Sequence, residues 1–236
     1  MSSVETHDDA PAPMPTTLVA LAVAAMGVGF AALLFVPAGR LDWMLGWAYV
    51  GILLVNVAIN WACLRRWNPE LIERRMRFGK GTKTWDKVWA VLYAPIAYAV
   101  YVVAGLEARD GVSSLPGLSW LLGAVIFAPG SAMLTWSMVV NPFFEKTVRI
   151  QTDRGHRVID TGPYAYVRHP GYLGFAGWML SAPLLLASAW AFVPAVLAVV
   201  GIVIRTVLED RTLHAELPGY PEYAARVRFR LIPHVW

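Results

Sequence analysis

Charged residues are absent from four long apolar stretches: Thr16 to Val36, Trp43 to Leu64, Val88 to Leu106 and Leu115 to Val140. A hydrocarbon core about 30 Å thick takes roughly 20 helical residues to cross, so each stretch predicts one membrane span. A fifth uncharged run, Gly171 to Ile204, would be about 50 Å long as a single helix, too long for one crossing. Pro183, Ser188 and Pro194 interrupt it, which predicts a tight hairpin of two short helices. The expected fold is therefore all-α, a polytopic membrane helix bundle of about six spans ending in a helical hairpin.

The polar segments between these spans alternate in charge. Arg65 to Lys87 carries eight Lys/Arg, Lys146 to Arg168 five, and Arg205 to the end another five, while the intervening turns hold only Arg40 and Arg109. The positive-inside rule then predicts cytoplasmic basic loops and cytoplasmic termini. Residues 1–15 contain no Lys or Arg but include Glu5, Asp8 and Asp9, unlike the basic start of a cleavable signal. They are expected to form a flexible cytoplasmic tail, followed by N-terminal spans over 16–140 with the basic loop 65–87, and by a distinct unit over 141–236.

Composition narrows the class further. The chain is 57% hydrophobic and 15% charged, with a mean hydropathy of +0.50. Soluble domains carry roughly 25% charged residues, so a soluble, disordered or collagen-like chain is excluded. The lone Cys63 allows no internal disulfide, no Cys/His spacing suits zinc, and no metal is expected. Nucleic acid is not an expected partner. Asn56 and Asn60 read as packing contacts between helices, and 68–87 as an interfacial amphipathic stretch able to gate substrate.

Candidate chemistry collects on the basic side. The loop from Asn141 to Gly174 is polar and rich in glycine and aromatic residues. Pro163 and Pro170 push Gly162 and His169 towards extended backbone, holding His169 at the membrane surface. Arg205 and Glu209 are four residues apart and share one helix face, which can meet this loop. Arg168 and Trp236 read as interfacial anchors.

The run GPYAYVRHPGYLG, followed by Glu209-Asp210, Gly219, Tyr220, Tyr223 and the ending Arg230-Leu231-Ile232-Pro233, resembles the isoprenylcysteine carboxyl methyltransferase family, which is related to the phospholipid N-methyltransferases. The resemblance covers about Asn141 to Trp236. It implies an integral-membrane methyltransferase using S-adenosylmethionine, with 141–236 as the methyltransferase-like core and a cytoplasmic cofactor-binding loop and tail. By motif position the cofactor residues would be His169, Pro170, Tyr172, Gly174 and Glu209. Family members often have two glutamates where this chain has Glu209-Asp210.

S-adenosylmethionine carries a sulfonium, a zwitterion, a ribose and an adenine, so its site needs carboxylate, aromatic and small-residue contacts. Glu209 and Asp210 supply carboxylates, Tyr164, Tyr166, Tyr172, Tyr220 and Tyr223 aromatic groups, and Gly171 and Gly174 close approach. Arg205 is the candidate to orient an acceptor carboxylate, with Glu209 beside it as the second catalytic candidate. An amine acceptor would need His169, Glu209 or Asp210 to take a proton. The expected activity is methylation of a lipophilic substrate, a small molecule or a lipidated one, at the cytoplasmic leaflet, in contact with membrane lipids. Carboxylate O-methylation is preferred, and a bacterial inner membrane is the expected location. The alternatives are an N-methyltransferase for a phospholipid or amine, an NADPH-dependent reductase of sterol-reductase type, and a non-catalytic scaffold. The oligomeric state is left open.

Overall fold

The computed structural model describes residues 16–76, 81–111 and 114–236. The tail expected over 1–15 and part of the basic loop therefore lie outside the described residues. Eight α-helices follow in order: α1 (Thr16–Ala38), α2 (Met44–Trp67), α3 (Pro69–Met76), α4 (Thr84–Arg109), α5 (Ser119–Val140), α6 (Pro170–Leu185), α7 (Phe192–Glu216) and α8 (Tyr220–Arg226). No strand occurs among the described residues. The fold is a polytopic helical membrane bundle.

Helices α1, α2, α4, α5 and α7 are long and apolar enough to span a bilayer. Their outward faces remain apolar, with Val28, Val36, Val91 and Val125 all exposed, as lipid-facing positions require. The hairpin from the fifth apolar run exists but is asymmetric. Helix α6 has 16 residues, about 24 Å of helix, short of the hydrocarbon thickness. Helix α7 has 25 and continues into a charged last third.

The break falls at neither proline. Pro183 lies within α6, and Pro194 sits in the first turn of α7, where the missing N–H has no helical acceptor to lose. The chain turns at Ala187, which adopts a left-handed φ of 52°. Glu107 of α4 fixes the turn by accepting hydrogen bonds from the Ser188 hydroxyl and, at 3.2 Å, from the Trp190 amide.

The six long helices close into a ring in which each packs principally on two neighbours: α1 on α2, α2 on α5, α5 on α6, α6 on α7, α7 on α4, and α4 back on α1. The fully buried Tyr49 and Tyr101 occupy its interior and are bonded to each other at 3.2 Å. The α5–α6 contact is the most extensive. A Cβ built on Gly174 would stand 2.5 Å from the Gly130 carbonyl oxygen, so the two backbones touch only because both residues are glycine. Asn60 joins α2 to α5 through a 3.0 Å bond to the Thr135 hydroxyl, the cross-helix role read for it.

Candidate functional site

Between α5 and α6 the chain runs for some thirty residues with only two short 3-10 turns, 152–154 and 162–165. Side-chain bonds hold this loop in shape. Asn141 accepts the Phe143 amide at 2.8 Å and donates to the Tyr164 hydroxyl at 3.1 Å. The buried Gln151 donates to the Phe143 carbonyl at 2.8 Å, and Glu145 is gripped by both forked nitrogens of Arg149 at 2.9 and 3.0 Å. His156 accepts the Gln151 amide at 3.3 Å through Nδ1, and burial lowers its proton affinity, favouring the neutral ring that this bond requires. Gly162 departs from its expected extended backbone: it is left-handed, with φ 57°, because the chain reverses there against Val140.

The C-terminal segment lies against the end of this loop. The amides of Arg168 and His169 donate to the carbonyls of Phe229 and Arg230, each at 2.9 Å. Arg168 is not an exposed anchor. It is 7% exposed, binds the Val227 and Arg228 carbonyls at 2.9 and 2.7 Å, and forms a two-point ion pair with Asp210. Asp210 is also reached by Arg230 at 2.9 Å, by the Tyr220 hydroxyl at 2.8 Å and by His169 Nε2 at 3.2 Å. One carboxylate thus ties together the loop, α7, α8 and the C-terminal segment.

These pieces enclose a cavity of about 400 Å³, within the roughly 300–1,000 Å³ range of small-molecule sites. Of the expected site residues, Tyr164, His169, Tyr172, Arg205, Glu209, Tyr220 and Tyr223 line it. Pro170, Tyr166, Gly174 and Asp210 do not. Pro170 opens α6 at its first position, Tyr166 is 69% exposed, Gly174 is used in the contact with α5, and Asp210 is enclosed by its partners. The Tyr172 hydroxyl donates to Glu209, and the His169 and Tyr172 rings stack at 5.8 Å. Burial raises the Tyr164 phenol, and burial with Asp210 raises that of Tyr220, so both act as neutral hydrogen-bond groups.

Arg75 and Trp89 in the wall and Asp86 behind it were not singled out from the sequence. The expected Arg205 is held by Asp86 at 3.0 Å, donates to the Lys146 carbonyl at 2.8 Å, and lies 4.5 Å over the Trp89 ring. Asp86 also accepts the Val148 amide at 2.7 Å. Its Arg205 partner keeps Nε buried without a hydrogen bond among the described residues. Arg75 of α3 enters the same wall. The available signal for Asp86 is its place as the lone carboxylate where a basic loop becomes an apolar helix. Leu134, Met138, Phe175, Trp178 and Ile202 complete an apolar side.

Residues 121–215, from α5 to the last turn of α7, match the model of the isoprenylcysteine carboxyl methyltransferase (ICMT) family. The match supports the resemblance drawn from the 162–174 run and the acidic pair 209–210. The five long apolar helices describe an integral membrane protein. No curated protein matches the chain.

Proposed function

We propose that this protein is an S-adenosylmethionine-dependent methyltransferase acting on a lipophilic acceptor at the cytoplasmic leaflet, with a carboxylate oxygen as the preferred acceptor. The observation that carries the reading is one cavity built jointly by the loop, α6, α7 and the C-terminal residues, combining the Glu209 carboxylate, which has no cationic partner among the described residues, with several aromatic rings and an apolar flank. Those groups suit the cofactor's ammonium and ribose hydroxyls, its sulfonium and adenine, and a neighbouring lipid chain, respectively. When bound, S-adenosylmethionine supplies an activated methyl group that passes to a nucleophilic oxygen as the carbon–sulfur bond breaks with its electron pair, leaving a neutral thioether.

Within that reading, Glu209 accepts from the cofactor's ammonium or ribose hydroxyls, and Tyr172 fixes the carboxylate's orientation. His169 and Tyr220, both bonded to Asp210, hold the cofactor side of the cavity in a fixed shape. Arg205 offers its guanidinium to the acceptor carboxylate, and Asp86 with Trp89 keeps that group from swinging away. A carboxylate acceptor is nucleophilic without losing a proton, so no general base is required. The apolar flank positions the lipid chain and excludes water from the reacting atoms. The charge of the basic loops supports a cytoplasmic side for the site and both termini, by the positive-inside rule.

Calorimetry on the detergent-solubilised protein with S-adenosylhomocysteine and, separately, NADPH tests the reading. Binding of S-adenosylhomocysteine, together with transfer of a labelled methyl group to a membrane extract, is the expected result. NADPH binding alone would assign the cavity to a reductase.

A further inference from the structure

Most charged side chains on the cavity wall are matched. Glu145 is paired with Arg149, Arg168 with Asp210, and Arg205 with Asp86, while Glu209 is bonded by Tyr172. Arg75, Lys146 and Arg157 differ. All three line the cavity, and among the described residues none has a carboxylate within ion-pair distance; of the three, Arg75 and Lys146 are near enough for the charge of Arg75 to act on Lys146.

The two cations meet along the short segment 144–146. Arg75 donates to the Phe144 carbonyl at 3.2 Å with its guanidinium 5.5 Å from the Phe144 ring, and Arg205 holds the Lys146 carbonyl from the other side. Their surroundings disfavour their charges. Burial and the nearby Arg205 push the Arg75 guanidinium down to about 10, and burial and Arg75 lower the Lys146 ammonium. Clustered like charges in a partly buried wall call for an anion. S-adenosylmethionine does not answer that need in sum, because its sulfonium and ammonium outnumber its carboxylate and add net positive charge.

We infer that Arg75 and Lys146 form an anion subsite, beside Arg205, that takes the acidic head of the methyl acceptor and rejects amine-headed lipids. The inference rests on the methyltransferase reading and names the chemistry of its acceptor: an amphiphile whose head carries anionic oxygens, carboxylate or phosphate, and whose chain lies against the apolar flank. Arg75 stands on α3, outside the family-matched residues, whereas Lys146 lies within them, so the N-terminal half contributes one of the two cations.

The test measures binding of dodecanoate, dodecyl phosphate and dodecylamine to the full-length protein in neutral detergent, with S-adenosylhomocysteine present. An acidic amphiphile is expected to bind at least about tenfold more tightly than the amine, and the ranking of carboxylate against phosphate identifies the head. The double variant Arg75→Gln, Lys146→Gln is expected to lose this preference, with affinity for S-adenosylhomocysteine held within about twofold. Arg75→Lys, which keeps the charge, is expected to retain most of it. Equal binding of acid and amine, or a preference that survives in the double variant, overturns the inference. So does a parallel loss of S-adenosylhomocysteine affinity, which would give the cations to the cofactor's own carboxylate. If S-adenosylhomocysteine fails to bind the native protein, the methyltransferase reading falls, and the anion subsite is judged on the amphiphile ranking alone.

Discussion

Arg168 closes its fork on the Asp210 carboxylate, with Nε 2.8 Å from Oδ1 and Nη2 3.0 Å from Oδ2, at a point where both side chains are almost fully buried. Removing one partner of a buried pair leaves the other charge without compensation, at a cost of about 3–5 kcal/mol. Asp210→Asn is therefore expected to lower thermal stability in detergent by that order and to loosen the C-terminal segment. Hydrogen exchange at 227–236 reads the second effect; an unchanged midpoint with unchanged exchange would deny Asp210 its central place.

Glu209 and Tyr172 both line the cavity, and the Tyr172 hydroxyl orients the Glu209 carboxylate by donating a hydrogen bond to it. Loss of a charged acceptor costs more than loss of a neutral donor that orients it. Glu209→Gln is expected to weaken S-adenosylhomocysteine about tenfold or more, and Tyr172→Phe by less, as measured by calorimetry. Equal and negligible effects would remove Glu209 from the cofactor side.

On the proposed function Asp86 is a positioning residue, because its contact with the site is the ion pair to Arg205. Misplacing an orienting cation affects the transition state more than cofactor binding. Asp86→Asn is expected to reduce kcat at least about tenfold while the S-adenosylhomocysteine Kd changes little. A purely structural role for Asp86 would move the Kd and the unfolding midpoint together.

The His156 ring is held neutral in the folded loop, with its proton affinity below the ordinary value of 6.5. As pH falls through that ordinary value the unfolded chain takes up the proton first. The stabilisation is therefore complete above about 6.5 and is lost on further acidification towards the folded-state value. Hydrogen exchange over residues 143–157 is expected to accelerate as pH drops below 6.5, beyond the intrinsic pH effect, and His156→Gln is expected to flatten this response. A native loop with no such dependence would contradict the buried neutral ring.

Gly174→Ala puts a methyl group against the Gly130 carbonyl, 2.5 Å from its oxygen. Because backbone cannot give way cheaply, the substitution is expected to cost about 1–3 kcal/mol and to lower the unfolding midpoint. A variant as stable as the native protein would mean that α5 and α6 are not in backbone contact.

The spans were legible because an uncharged run of sufficient length has few alternatives to a membrane helix. The hairpin was legible from the length of the fifth run, but its turn was not. Proline near a helix start is tolerated, and the residue that does turn, Ala187, has no side-chain feature to mark it. Within the site, the motif run located His169, Tyr172 and Glu209 beside one cavity. It misread Arg168, whose burial depends on Asp210, more than forty residues later, and on carbonyls from the C-terminal segment. Arg75 and Asp86 stayed hidden in a stretch whose charge density resembles any headgroup-facing loop. Only the return of α7 beside α4 brings Arg205 to Asp86.

The closed circle of helices has a consequence for how such a protein can diversify. Its seam runs between two segments of different character, because α4 abuts both α1 and α7, yet only α7 belongs to the stretch that matches the family. On the proposed function, substitutions in α3 and α4 can therefore reshape the side of the chamber given to the acceptor while leaving the His169–Asp210–Tyr220 cluster untouched. A chimaera that exchanges residues before 121 between two relatives is accordingly expected to inherit its S-adenosylhomocysteine affinity from one parent and its choice of lipid from the other.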